Sequence, residues 1–230
     1  MSASKKEENP WAINSEKTSN YSNERLTFFE KIVNILFHPK EFFEWLSKNH
    51  STKESVKYFL LLNYVISGIL LIFGAIAIFF LMSSIRALFN FIPSFSSLIL
   101  IGILFFILAI LPLFSLLLML MGSVLFHLFI IIFKGKDFSK TFSVFVYSTT
   151  TSLIFSILLT IFYILSIFIP LTFIIVTIIS VPLSLWSLVL GFYGIMKVHE
   201  FSFLKTLSVY LICLSIITII ILIPLLLFVL

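Results

Sequence analysis

Histidine 127, histidine 199 and the glutamate beside the latter are the side chains of this sequence most suited to proton transfer or metal ligation. Tyr147 opens a hydroxyl-rich run, Tyr147-Ser148-Thr149-Thr150-Thr151-Ser152, and Cys213 is the single thiol. His127 lies inside a long apolar run, seven residues before Lys134 and so about 10 Å along a helix from it. A neutral imidazole there can bond a hydroxyl on a neighbouring helix; metal binding and proton transfer are the alternative roles. His199 and Glu200 are adjacent, so on a helix they would point to different faces and would not form a pre-aligned acid–base pair. A loop role in partner recognition suits them better. No CxxC or HxxxH spacing is present, and neither is GxSxG, HExxH, a P-loop or GxGxxG. The sequence therefore predicts no catalytic residues, no metal site and no cofactor. The hydroxyls after Tyr147 are expected to satisfy themselves on backbone carbonyls one turn back, with a substrate-lining role as the alternative.

The elements that must hold these residues are membrane spans. Of the 230 residues, 60% are apolar and only 11% charged, against roughly 25% charged in soluble domains. Mean hydropathy is +1.20. Residues 1–57 carry nine Lys/Arg and eight Asp/Glu, whereas 58–230 carry six and two. Five runs, 58–82, 98–133, 141–168, 171–196 and 206–230, contain no Lys, Arg, Asp or Glu. Each exceeds the ~20 residues that cross a bilayer as a helix. Barrel strands need only ~9–11 residues and alternate in polarity, and helices alone satisfy their own backbone in hydrocarbon. The expected fold is all-α: a polytopic integral membrane protein with a five-helix transmembrane bundle and an amphipathic N-terminal interfacial helix.

Charge sets the expected topology. With five spans and the N-terminus in the cytosol, 1–57, 134–140 and 197–205 place fourteen Lys/Arg inside, and Arg86 alone lies outside. That asymmetry follows the positive-inside rule and puts the C-terminus on the opposite side. The rival cuts the second run at Pro112 into two short spans, leaving nine inside and six outside. Five spans are preferred, with the excess length of the second run taken up by tilt, a kink or projection. The start Met1–Glu8 has no apolar core of a signal peptide, so the first span is expected to direct insertion. The expected membrane is the cell membrane in a prokaryote and an endomembrane in a eukaryote.

Residues 1–24 are polar and read as a disordered tail; 25–57 read as a helical segment preceding the 58–230 membrane domain. Leu26, Phe29, Val33, Leu36 and Phe37 recur at helical spacing, with Phe28, Ile32 and Ile35 widening the stripe and Glu30, Lys31 and Asn34 on the other side. After His38-Pro39 a second short helix carries Phe42, Phe43, Trp45 and Leu46. Phe28, Phe29, Ile32 and Trp45 are expected at the membrane interface; packing of the stripe on the span ends is the alternative. In the fourth span Thr177, Ser180, Ser184, Ser187, Gly191 and Gly194 recur at spacings of 3 and 4. They are expected to form a seam of small residues against Ser148, Ser152, Ser156 and Thr160 of the third span.

Certain segments also follow a familiar order: Phe37-His38-Pro39-Lys40-Glu41-Phe42-Phe43; Gly135-Lys136-Asp137-Phe138-Ser139-Lys140-Thr141-Phe142 leading to Val146-Tyr147-Ser148; Trp186 through Gly194; and His199-Glu200-Phe201-Ser202. The chain resembles the Yip family, Ypt/Rab-interacting membrane proteins, and especially its prokaryotic-type members, over about residues 30–230. The resemblance implies five spans with a cytosolic N-terminus. Eukaryotic relatives act in ER–Golgi traffic through prenylated small GTPases and in membrane shaping. This chain lacks their Asp-Leu-Tyr-Gly-Pro-like element, and Thr149–Thr151 stand where a proline often follows the Tyr-Ser, which argues against a small GTPase as partner.

The expected function is a non-enzymatic membrane-organising or trafficking-type scaffold. A small-solute permease or transport subunit is the alternative, and a membrane-embedded enzyme the third reading. The absence of intramembrane acids weighs against both alternatives. Expected partners are the lipid bilayer and other membrane proteins or a second copy of the chain, with no nucleic acid, because the basic residues flank spans.

Overall fold

The computed structural model describes residues 26–88, 95–166, 169 and 171–229; the tail 1–24 lies outside them. Helix α1 spans Phe28–Phe37 and α2 Pro39–Lys48. The long helices are α3 (Thr52–Leu88), α4 (Phe95–Ile132), α7 (Leu171–Val198) and α8 (Phe203–Val229). Between them lie α5 (Phe138–Ser148) and α6 (Thr150–Ser166). No strand occurs among the described residues. The protein is all-α, as its composition demands.

Local chemistry sets the helix starts. Thr27 and Glu30 form a reciprocal capping box: the Thr27 N–H donates to Glu30 Oε2 at 2.7 Å and the Glu30 N–H to Thr27 Oγ1 at 3.4 Å. The Thr27 amide holds the Glu30 carboxyl below its ordinary pKa. Pro39 occupies the first position of α2, where its missing N–H is harmless.

Four stretches are long and apolar enough to cross a membrane: Thr52–Phe80, Ile101–Ile132, Phe138–Ser166 and Leu171–Val198; Phe203–Ile216 of α8 is a shorter apolar helix among the residues described. This fits a five-helix bundle. The helices differ from the apolar runs at their ends. The first begins at Thr52 rather than 58, because a helix continues into water wherever its backbone can stay paired. Helix α4 runs unbroken through Pro112, which is buried. At 38 residues it is about 57 Å long, well over a ~30 Å hydrocarbon core, which calls for tilt, a kink or projection. The third span is interrupted at Thr149 into α5 and α6.

Burial is concentrated at one end. Phe42, Phe43 and Leu46 of α2, Tyr58 and Phe59 of α3, Ile130 of α4, Phe142 through Tyr147 of α5, and Ile195 and Val198 of α7 supply most of the core. This is also where Lys136, Lys140, Lys197 and Lys205 lie, so we call it the basic end. Farther along, Phe105, Phe106, Leu117 and Leu125 of α4 are exposed, as helices facing hydrocarbon require.

The two N-terminal helices divide their roles. Trp45, expected at the membrane surface, is buried with Phe42, Phe43 and Leu46. Its indole lies under the Lys31 ammonium at 5.7 Å and its ring beside Phe42. Helix α2 therefore packs as core, because the end of α7 offers it a glycine: Phe43 lies against Tyr193 and Gly194. Helix α1 does the reverse. Lys31 and Ile35 face inward, whereas Phe29, Val33 and Phe37 are 75%, 50% and 73% exposed. Phe28 and Ile32 are half-buried at its edges, and the Phe28 ring packs on Tyr58.

The third span, α5 with α6, runs antiparallel to α7, with Ser148 of α5 opposite Ser187 and Tyr163 of α6 opposite Phe173. The buried face of α7 follows Val176, Leu190, Gly191, Gly194 and Val198, with Ser180, Leu183 and Ser187 half-buried along it. Thr177 and Ser184, expected in the seam, lie off this face and are exposed. A helix of 3.6 residues per turn drifts ~20° per heptad from a strict seven-residue repeat. One heptad back from Gly191 at Ser184, and two at Thr177, that drift has carried them outward. Their hydroxyls, like that of Ser180, bond carbonyls of α7 itself.

A Cβ on Gly194 would meet Val144 Cγ1 at 2.6 Å and Phe43 Cε1 at 2.7 Å, whereas one on Gly102 would meet nothing within 4 Å. Gly194→Leu is expected to destabilise the detergent-solubilised protein by about 1–3 kcal/mol, and Gly102→Leu by less than about 0.5 kcal/mol. Thermal unfolding of both variants checks this; equal midpoints would refute the close approach at Gly194.

Candidate functional site at the basic end

Two helix ends are built alike. After α4, the Lys134 N–H bonds the Ile131 carbonyl at 2.8 Å and the Gly135 N–H the Ile130 carbonyl at 2.9 Å. After α7, the Glu200 N–H bonds the Lys197 carbonyl at 3.4 Å and the Phe201 N–H that of Met196 at 2.9 Å. Both are Schellman caps, which place one residue in the left-handed region. Here those residues are not glycine: Lys134 has φ 59° and Glu200 φ 58°. Each costs on the order of 1 kcal/mol relative to glycine. Glu200 has a use for its side chain, since its carboxylate pairs with the Lys136 ammonium on the opposite loop. That pairing holds the carboxyl below its ordinary pKa. Gly135 is glycine for space, because a Cβ there would run into the side chain and carbonyl of Ile130.

His199 joins the two loops. It is 3% exposed. Its Nδ1 accepts the Lys136 backbone N–H at 3.0 Å, which leaves the proton of the neutral ring on Nε2. Nε2 donates to Thr141 Oγ1 at 3.1 Å, and the Thr141 hydroxyl shares a second hydrogen bond with His127 Nδ1 at 2.7 Å. The Lys136 amide sets the His199 tautomer, because a neutral imidazole has one donor and one acceptor. The chain thus runs from a loop amide through two imidazoles and a hydroxyl, tying the end of α7 to α5 and α4. Burial is the main force lowering the His199 pKa to about 4, with His127, Lys140 and Lys136 adding to it.

Thr141 sits between two imidazoles as a nucleophile would, but it is wholly buried. The arrangement can transmit a change of protonation between loop and bundle; it presents no reactive atom to a substrate. Among the described residues no three His, Cys, Asp or Glu side chains gather as a metal site.

A second polar layer lies beside it. Ser55 Oγ and Ser143 Oγ bond at 2.8 Å, and Tyr58 Oη and Thr150 Oγ1 at 3.1 Å. Tyr147 is a core aromatic between Tyr58 and Phe42, with ring centroids 4.8 and 5.1 Å away. In the hydroxyl run, Ser148 and Thr149 bond carbonyls one turn back. Thr151 Oγ1 is buried without a partner. Ser187 Oγ donates to the Ser148 carbonyl at 2.8 Å, at the point where the break at Thr149 loosens the helix. Ser187 and Gly191 thus meet Ser148, and Gly194 meets Val144 and Phe43.

The structure brings His127 and His199 together and places Glu200 at the loop contact, with Tyr147 in the neighbouring layer. The sequence reading missed Thr141, Lys136 and Lys31. Thr141 and Lys136 stood within the Gly135–Phe142 segment, and a strictly local reading could not pair them with residue 199.

Compared with known proteins, residues 33–226 match the family described as the Yip1 domain. No curated protein and no solved structure matches the chain. The matched stretch contains both loops and all members of the His127–Thr141–His199 chain.

Because the folded-state pKa of His199 lies below the ordinary value, the unfolded chain takes up its proton first as pH falls. Stability associated with the neutral ring is present above about pH 6.5 and is lost as pH falls through about 4. At ~1.4 kcal/mol per unit, the loss is on the order of 3 kcal/mol. Thermal unfolding between pH 7.5 and 4 should show this fall in the native protein and a flatter profile in His199→Gln. Parallel profiles would show that His199 is not held neutral.

Proposed function

The chain belongs to the Yip1-domain family of multi-pass integral membrane proteins, and on that premise we propose that it is a non-enzymatic scaffold that organises or deforms the bilayer. The observation that carries this reading is the outward apolar face of α1. An amphipathic helix that served only to cap the bundle would turn Phe29, Val33 and Phe37 inward and Lys31 outward. Here Lys31 is buried against the rings of Trp45 and Tyr147, and the three apolar side chains project from the protein. The Phe28–Tyr58 contact sets α1 at the level of the first turns of α3. A helix held rigidly at that depth with its apolar side outward occupies area in one leaflet only, which bends a bilayer. The burial of Thr141 supports the non-enzymatic part of the reading. The bilayer is the partner this surface suits; a small GTPase is not part of the proposal.

The basic end is taken as cytosolic, with the N-terminus inside, on the distribution of Lys and Arg. The membrane is then the cell membrane for a prokaryotic chain and an endomembrane for a eukaryotic one.

Two measurements test this. Full-length protein reconstituted in liposomes should narrow or tubulate them. Phe29→Asp with Phe37→Asp should abolish the effect without unfolding the protein, since burial of roughly 1.5–3 kcal/mol per side chain in lipid is removed from residues that touch little protein. Deformation by the double variant would overturn the wedge, and solute flux without deformation would favour a permease. For orientation, single cysteines at the exposed positions Ser202 and Ile169, in a Cys213→Ser background, are probed with an impermeant thiol reagent on intact cells. Ile169→Cys should label and Ser202→Cys should not; the reverse would invert the topology.

A further inference from the structure

A second feature of α1 and α3 has no part in the wedge. Between the two helices, at the basic end, lies an open cleft of about 320 Å³. Lys31 and Lys57 both border it, and Glu54 lies 3.7 Å from the Lys31 ammonium. Two ammonium groups against one carboxylate leave the cleft one positive charge in excess. Desolvation by burial lowers the Lys31 pKa and Glu54 only partly offsets it, so an incoming anion meets an under-compensated cation. The remaining lining is apolar or aromatic: Leu26 and Phe28 from the α1 side, Tyr58 and Leu61 from α3.

The cleft does not end in protein. One row of α3, Lys57, Leu61, Tyr64, Gly68 and Leu71, follows spacings of 4, 3, 4 and 3, so its members share one side of the helix. The deeper part of this row forms one wall of a second cavity, a groove of about 190 Å³ between α3 and α4. Phe105, Leu108 and Ala109 form its other wall. Leu61 and Tyr64, which join the two cavities, are 44% and 43% exposed. Nothing lies within 4 Å of where a Cβ on Gly68 would stand, so the groove is open at its centre. From Lys57 to Gly68 is about 16 Å along the helix, close to half of a ~30 Å hydrocarbon core and thus to one leaflet.

A basic cleft at the end of the span, continued inward by an apolar groove one leaflet deep, matches the length of a phospholipid headgroup with one acyl chain. We propose that this side of α3 binds one anionic phospholipid, its phosphate held between Lys31 and Lys57 and an acyl chain lying along Leu61, Tyr64 and Gly68 against α4. A free phosphate shares the headgroup chemistry but would make no use of the groove, which is why a lipid is the favoured occupant.

The test uses full-length protein in a neutral detergent, titrated separately with phosphatidylglycerol, with phosphatidylcholine of the same acyl chains, and with inorganic phosphate. Thermal unfolding and native mass spectra are the readouts. Phosphatidylglycerol should raise the midpoint saturably, with one molecule retained per chain. Lys57→Gln should weaken its binding about fivefold, the effect of one lysine near a membrane surface, and Glu54→Gln should strengthen it. A Cβ on Gly68 meets no protein atom within 4 Å, so Gly68→Leu should occupy the groove without a clash, leave the lipid-free midpoint close to native and weaken lipid binding. Equal response to phosphatidylcholine, an equal response to inorganic phosphate, or native affinity in both Lys57→Gln and Gly68→Leu would each overturn the proposal. Phe29→Asp with Phe37→Asp should bind phosphatidylglycerol as the native protein does, so loss of the wedge and loss of this site are read separately.

Discussion

Hydrocarbon gives apolar helices no reason to seek one another, because a lipid tail is as good a neighbour as a leucine. Whatever holds such a bundle must come from hydrogen bonds, close backbone approach, or parts of the chain outside the bilayer. In this protein all three occur at the same end. His199 is central to them, since its ring receives a loop amide on one side and gives its proton to Thr141 on the other. Through that hydroxyl the end of α7 is joined to α5 and α4. Around it stand the glycine contacts of α7, the Tyr58–Thr150 and Ser55–Ser143 bonds, and the aromatic layer of α2. Toward the opposite end the same helices show large apolar side chains outward.

The spans were legible because length and the absence of charge are enough to identify a membrane helix. Their ends were less so. Helix α3 starts at Thr52, and nothing in a hydropathy count marks where a helix leaves lipid and continues in water. The break at Thr149 has no proline or glycine to announce it. Helix α1 shows a deeper limit. Its apolar stripe was plain in the sequence, but a stripe says only that one face avoids water. Lipid and protein core are both dry, and the choice between them depends on what the rest of the chain offers. Trp45 and Phe29 illustrate this, since both belong to amphipathic segments yet one is buried and the other projects. The small-residue seam of α7 was legible where residues follow the helix's own period and misleading at Thr177 and Ser184, where a strict heptad ran ahead of a straight helix.

The polar cluster was the least legible part. His127 and His199 could be named as the ionisable groups near the membrane boundary, but their relation rests on Thr141, which looks like any other threonine. The contacts that define the cluster join residues 58 and 63 positions apart, beyond the reach of periodicity or local motif. The burial of Lys31, opposite the apolar stripe, is illegible for a similar reason: its partners Glu54, Trp45 and Tyr147 come from three other helices.

Those separations also bear on how the protein is made. A ribosome delivers the spans in order, and the contacts at residue 199 cannot form until the fourth span has been threaded. Until then α3, α4 and the α5–α6 pair lack their contacts with α7, and the Thr141 hydroxyl, although it can already bond His127, is without its partner at residue 199. Closure follows synthesis of most of the chain, and α8, which packs mainly on α4 and α7, arrives after it. A chain that stalls before residue 199 is therefore an inserted but unassembled protein, with polar groups on view to the membrane's quality-control machinery.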